Sequence, residues 1–170
     1  MTSITSWQRS TVRGIVAAVF AVTLASWPAS GQHGIEQKAA IAVADSALAA
    51  ISRGDMTALT DLMLAEAVMF PTSTRDGVAR YRLRTRAEQR AATVTSKVTE
   101  RGFRPEARVN GPLAMVWYPY DLYLDGKWSH CGVDVFTLIR SDGQWRIATM
   151  SWTAEQPPAC EKHPDGPPKQ

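Results

Sequence analysis

The chain has 170 residues, 45% of them hydrophobic, and 19 basic against 16 acidic residues give a formal net charge of +3. That length supports a single ordinary domain with one core. A charge so near balance supplies no long-range field for gathering nucleic acid or an anionic membrane surface.

Arg9 and Arg13 precede an apolar run from Gly14 to Trp27, and small residues follow at Ala29, Ser30 and Gly31. This order predicts a secretory signal peptide over residues 1–31, cleaved near Gly31–Gln32, and hence a periplasmic or secreted protein. The run is too short for a comfortable membrane span, so no membrane association is expected after cleavage. Loss of the two arginines leaves 17 basic against 16 acidic residues. Residues 32–154 then form the domain. Residues 155–170 hold five prolines and read as a flexible or extended tail. Two cysteines, Cys131 and Cys160, remain in an oxidising compartment, where a disulfide between them is expected.

In chain order, Ile35 to Arg53 is an alanine-rich helix with larger apolar residues at Ile41, Val43, Leu48 and Ile51, closed by Gly54 as its C′ residue. Asp55 caps a shorter helix through Leu64, with Leu59, Leu62 and Met63 inward. Ala67 to Phe70 reads as a strand stopped by Pro71. Arg80 to Arg84 alternates arginine with Tyr81 and Leu83, the pattern of a half-buried strand with its arginines outward. Thr85 and Glu88 have capping-box spacing, which starts a third helix at Arg86. Val98 to Val109 is a weak strand interrupted by Gly102 and Pro105, and Leu113–Leu124, Trp128–Arg140 and Trp145–Thr153 are strong ones. Helices first and strands last predict an α+β fold, with helices packed on one face of a curved antiparallel sheet.

The segment Trp117 to Phe136 carries the densest chemistry. Asp125-Gly126 is a type I′ hairpin signal, because both central positions of that turn need positive φ. A two-residue loop pairs Leu124 with Lys127. Regular pairing from there sets Asp121 opposite His130 and Trp117 opposite Asp134, all four on one face. Opposed strand residues have Cβ atoms about 4.5–5.5 Å apart, close enough for a carboxylate–imidazole hydrogen bond. Asp134, four residues from His130, is roughly 13 Å away along the strand and acts at another depth. Asp142-Gly143 offers a second turn that sets Asp134 opposite Ser151 and Phe136 opposite Thr149. Met115, Trp117, Asp121, His130, Asp134, Phe136, Thr149 and Ser151 therefore form the expected ligand-binding set, with His130, Asp121 and Asp134 as catalytic candidates. Pro119 lacks an N–H, and a bulge there would move Trp117 to the other face.

His130 and Cys131 are neighbours on a strand and point to opposite faces, so they share no site. With His33 and His163 near the ends, no metal-binding spacing exists, and neither a metal nor a cofactor is expected. Arg75, Arg80, Arg82, Arg84, Arg86 and Arg90 form the basic cluster, read as a solvated edge, with the alternative that some reach the pocket mouth and attract an anion.

The words ALAAISRGDMTALTDLM (Ala47 to Met63), RYRLRTRAE (Arg80 to Glu88), WYPYDLYLDGKWSHCGVDVF (Trp117 to Phe136) and DGQWRIATMSWT (Asp142 to Thr153) resemble the nuclear transport factor 2-like superfamily. That group includes the SnoaL-like polyketide cyclases and the ketosteroid isomerases. The resemblance implies a cone-shaped fold with a pocket between sheet and helices, frequently dimeric. Its isomerases combine a base aspartate with a tyrosine, for which Asp121 or Asp134 and Tyr81, Tyr118, Tyr120 or Tyr123 are available here. The fold hosts several kinds of function. The leading expectation is therefore a domain that binds a small, partly apolar molecule without catalysis. A SnoaL- or isomerase-like enzyme that removes a proton beside a carbonyl is the alternative, and a dimeric assembly domain a further one. The expected partners are that small molecule and a second copy of the chain.

Overall fold

The computed structural model describes residues 29–169. The expected signal segment lies outside the described residues up to position 28, and positions 29–31 fall in the first helix. The elements run α1 (Ala29–Ser52), α2 (Met56–Asp61), β1 (Met63–Arg75), β2 (Val78–Tyr81), β3 (Arg84–Thr85), α3 (Arg86–Arg90), β4 (Val98–Gly102), β5 (Glu106–Asn110), β6 (Leu113–Leu124), β7 (Lys127–Ser141) and β8 (Gln144–Ala154). None of the described helices is long and apolar enough to cross a membrane.

The local signals for the helices hold. Gly54 ends α1 at φ 68°, and its N–H bonds the Ile51 carbonyl at 2.9 Å. The Asp55 side chain caps α2 by accepting from the Ala58 N–H at 2.9 Å. Thr85 and Glu88 close a complete capping box at the start of α3. In α1 the face turned to the sheet is small: Ala40, Ala44 and Ala47 are fully buried, with Leu48 beside them, so the helix axis lies close to the strands.

The strands form one eight-stranded sheet in the order β2-β1-β8-β7-β6-β4, with β3 on β1 and β5 on β6. It is mixed: the β1–β8 pair is parallel, and the other pairs are antiparallel. Helix α1 packs on β4, β5 and β6, while α2 and α3 reach β1 near the opposite end, so the sheet curls around the helices as a cone. The expected α+β architecture is thus present. Strand β1 runs through Pro71 instead of ending there, because Pro71 still accepts from the Arg82 N–H at 3.2 Å. The weak Val98–Val109 strand divides into β4 and β5 at Arg104, which has a φ of 49°.

Two irregularities decide which side chains face the cone. The Asp125-Gly126 turn forms with φ values of 51° and 75°, and Leu124 pairs with Lys127. Tyr123 then pairs with Trp128, but Leu122 pairs with His130, leaving Ser129 as an extra residue on β7. A second shift between β7 and β8 leaves Ala148 extra, since Thr137 pairs with Thr149 and Leu138 with Ile147. Each extra residue inverts the phase beyond it.

The tail is tied to the outside of the sheet rather than free. Cys131 and Cys160 form a disulfide with a Cα–Cα separation of 5.6 Å. The Gln156 amide donates to the Ser129 carbonyl at 2.6 Å and accepts from the Trp128 indole at 3.0 Å. The carbonyl at the bulge thereby gains a partner.

Candidate functional site

The bulge at Ser129 separates the expected Asp121–His130 pair. Asp121 faces Cys131 on β7 and Arg101 on β4, on the outer side of the sheet. Its carboxylate is fully buried and takes a two-pronged guanidinium contact, Arg101 Nε to Oδ1 at 2.9 Å and Nη2 to Oδ2 at 2.6 Å. The His163 N–H adds a third bond at 3.2 Å, and Arg101 also donates to the Gly166 carbonyl at 2.7 Å. Asp121 is a fastening point for the tail.

The other expected residues divide between the faces. Trp117 pairs with Val135, not Asp134, is 46% exposed and lies in an outer groove beside Cys160. Met115 shares its phase on β6. Thr149 and Ser151 pair with Thr137 and Val135 and take the outer phase as well, where Phe136 and Asp134 had been expected opposite them. The inner phase keeps His130, Asp134 and Phe136, which face Leu122, Tyr118 and Val116 on β6. Phe136 is core packing with no exposed surface.

Inside the cone lies a cavity of about 190 Å³. Ile51, Met56, Leu59, Met69, Val94, Val98, Leu122, Met150 and Trp152 make it largely apolar, and Arg84, Gln89, Glu100, Tyr120 and His130 interrupt that wall. Two acids take the inner phase of the sheet. Glu100, opposite Leu122 on β4, lines the cavity, and burial pushes its carboxyl up to about 8. Asp134 lies behind the wall with no exposed surface, and neither carboxylate oxygen has a hydrogen-bond partner among the described residues. Burial first, then the neighbouring Glu100, pushes Asp134 well above the usual carboxylate range. Glu100, at about 8, is therefore mainly protonated at neutral pH, and the shift of Asp134 favours its protonated form as well. Tyr118 and Tyr120 are also pushed up by burial, with Asp134 adding to both. The Tyr118 hydroxyl donates to Asp45 at 2.7 Å, and that of Tyr120 donates to the Thr153 carbonyl at 2.7 Å.

That last contact depends on Gly132. A side-chain carbon there would overlap the Thr153 carbonyl, so only glycine lets the end of β8 pass this close. His130 sits edge-on to Tyr120 with ring centroids 5.8 Å apart, and its Nδ1 contacts the Ser129 hydroxyl at 2.9 Å. Burial lowers its pKa, so the ring is neutral. Among the described residues no three His, Cys, Asp or Glu side chains cluster as metal ligands.

Two contributors escaped the expected set. Glu100 was hidden in the weak strand, although Val98, Glu100 and Gly102 share a phase and put one acid on an otherwise apolar or small inner row. Arg84 was read first as part of a solvated edge, with a place at the pocket mouth as the alternative. Tyr81 and Leu83 are exposed, and Arg84 turns inward to the cavity. The phase of a four- or five-residue strand with no buried neighbour in sequence is set by which edge it joins.

A cone of helices and curled sheet around a cavity is the architecture of nuclear transport factor 2-like proteins, and solved structures agree. A substituted form of Rv3472, a protein of unknown function from Mycobacterium tuberculosis, matches at 18% identity and TM-score 0.63, over 78% of this chain and 79% of that one. The beta subunit of a putative aromatic-ring-hydroxylating dioxygenase from Novosphingobium aromaticivorans matches at 11% identity and TM-score 0.60, over 72% and 91%. A putative calcium/calmodulin dependent protein kinase II association domain from Xanthomonas campestris matches at 22% identity and TM-score 0.53, over 69% and 86%. Within that fold the sequence model of the SnoaL-like domain matches residues 41–152, and the chain belongs to that family. No curated protein matches the sequence.

Proposed function

We propose that this is an exported SnoaL-like domain that holds a small, partly apolar molecule in the cone. The observation that carries the reading is the cavity itself, about 190 Å³ of largely apolar wall with Glu100 presented at its surface. A dry apolar cavity of about 150 Å³ accepts benzene, so this one suits a single ring with a short substituent. A protonated Glu100 offers such a ligand one hydrogen-bond donor. Export is supported by the signal-like order of the first thirty-one residues and by the Cys131–Cys160 disulfide.

The test is calorimetry with the neutral probe 3-phenylpropanamide on the protein and on Leu122→Trp, which fills the cavity from β6. Measurable binding that disappears in the filled protein is expected. Absence of binding to the unfilled protein overturns the reading.

Glu100 favours a second reading, proton abstraction beside a carbonyl. A carboxyl raised to about 8 is a stronger base than an ordinary one and is poised near neutral pH. In that reading the base is Glu100, with neutral His130 nearby, and Asp121 takes no part because it is on the other side of the sheet. Exchange of α-hydrogen for deuterium in a bound phenyl ketone, lost in Glu100→Gln while binding persists, would select it over binding alone.

A further inference from the structure

Three arginines at the β3–α3 corner have different partners. Arg86 and Arg90 both pair with Asp61, at 3.8 and 2.6 Å, and Arg86 also donates to the Thr60 carbonyl at 2.8 Å. Arg84 has no carboxylate in any ion pair among the described residues. The nearby Glu88 is engaged by Thr85, through its N–H at 2.6 Å and its hydroxyl at 2.8 Å. One guanidinium arm of Arg84 donates to the Gln89 side chain at 2.6 Å. Its Nε–H is buried and has no hydrogen-bond partner among the described residues. The guanidinium lies 6.0 Å from the Trp152 ring, and both residues line the cavity.

A buried N–H without an acceptor is costly, and a guanidinium in the wall of a largely apolar cavity with no carboxylate within ion-pair distance favours an anionic partner. The planar guanidinium matches a carboxylate, which would make with it the close charge-assisted contact that no carboxylate among the described residues makes. Glu100, on the same cavity wall, is mainly uncharged at neutral pH and so does not compete for Arg84 or repel an anion.

We infer that the ligand is a small carboxylate whose ring-sized apolar body fills the cavity while its anionic end rests on the Arg84 guanidinium. This deepens the binding reading and rests on it. Gln89 is the positioning residue: its side-chain oxygen holds one arm of Arg84, and its amide is held in turn at 2.9 Å from the Met56 sulfur.

The test compares 3-phenylpropanoate with its neutral isostere 3-phenylpropanamide by calorimetry at pH 7, on the protein, Arg84→Met, Arg84→Lys and Leu122→Trp. The acid is expected to bind about tenfold tighter than the amide, as one charge-assisted contact implies. The preference should fall to about unity in Arg84→Met and survive in part in Arg84→Lys. Leu122→Trp should abolish binding of both probes. Equal binding of acid and amide by the unaltered protein, or a preference that persists in Arg84→Met, overturns the anion inference and leaves the cavity reading intact. Binding of the acid that persists in Leu122→Trp places it outside the cavity and also overturns it. Failure of both probes removes the cavity reading and this inference together.

Discussion

Two buried aspartates on neighbouring strands of one sheet have opposite surroundings. Asp121, on the outer face, is saturated by the Arg101 guanidinium and the His163 N–H. Asp134, on the inner face, has no partner for either oxygen among the described residues and is next to a second acid, Glu100. A fully partnered carboxylate is architecture, because its charge is already compensated. An unpartnered one beside a cavity is stored instability, and such groups concentrate where ligands are handled. The sheet therefore holds one acid compensated and the other not, and three changes would break or sharpen that division.

The largest effect is expected on the outer face. Asp121→Ala leaves the Arg101 side chain, 19% exposed, without its counter-charge and releases the tail amide. It should cost about 3 kcal/mol in urea unfolding, as for removal of one partner of a buried pair. Ligand affinity should be unchanged. A loss of affinity without loss of stability would place Asp121 in the site after all.

The inner face should lose stability as pH rises. Glu100 rises in the folded protein from 4.5 to about 8, so between those values the folded state holds more protons than the unfolded one. Stability must then fall as pH rises through that window, and Asp134, also raised, adds to the fall. His130 is lowered from 6.5 and acts the other way, an effect that fades over about one pH unit above 6.5. A fall in melting temperature between about pH 7 and 8 therefore reports the acids. Glu100→Gln should flatten the slope and raise stability at pH 8 by on the order of 2 kcal/mol. A flat profile for the unaltered protein would mean that the carboxyl is solvated.

The smallest change concerns the hydroxyl that links the faces. Tyr120→Phe removes the donor to the Thr153 carbonyl and should cost about 1 kcal/mol, with probe affinity within about twofold. A larger affinity loss would make Tyr120 a ligand contact rather than a strut.

Much of the architecture was legible because its signals are local. Gly54, the Asp55 cap, the Thr85–Glu88 box and the Asp125-Gly126 turn each act within a few residues, and each forms as expected. The site was legible only in part. His130 and Asp134 fall on the inner face, whereas Asp121, Trp117, Met115, Thr149 and Ser151 fall on the outer one. Pro119 drew attention as a bulge, yet it pairs regularly with Val133. The interruption lies at Ser129, on the partner strand.

What the amino-acid order determined alone is the succession of helices followed by strands, the caps and hairpin turns, and an apolar set sufficient for one α+β core. Tertiary structure decided which face each strand residue takes. Strand side chains alternate with a period of two, so one extra residue exchanges the faces of everything beyond it. The bulge at Ser129 is accompanied by a contact from Gln156, 27 residues away, whose amide meets the Ser129 carbonyl. The inward turn of Arg84 and the electrostatic influence of Glu100 on Asp134 likewise arise only when β1, β4 and β7 curl into one cone, because no short-range spacing in the chain encodes the approach of strands so distant in sequence.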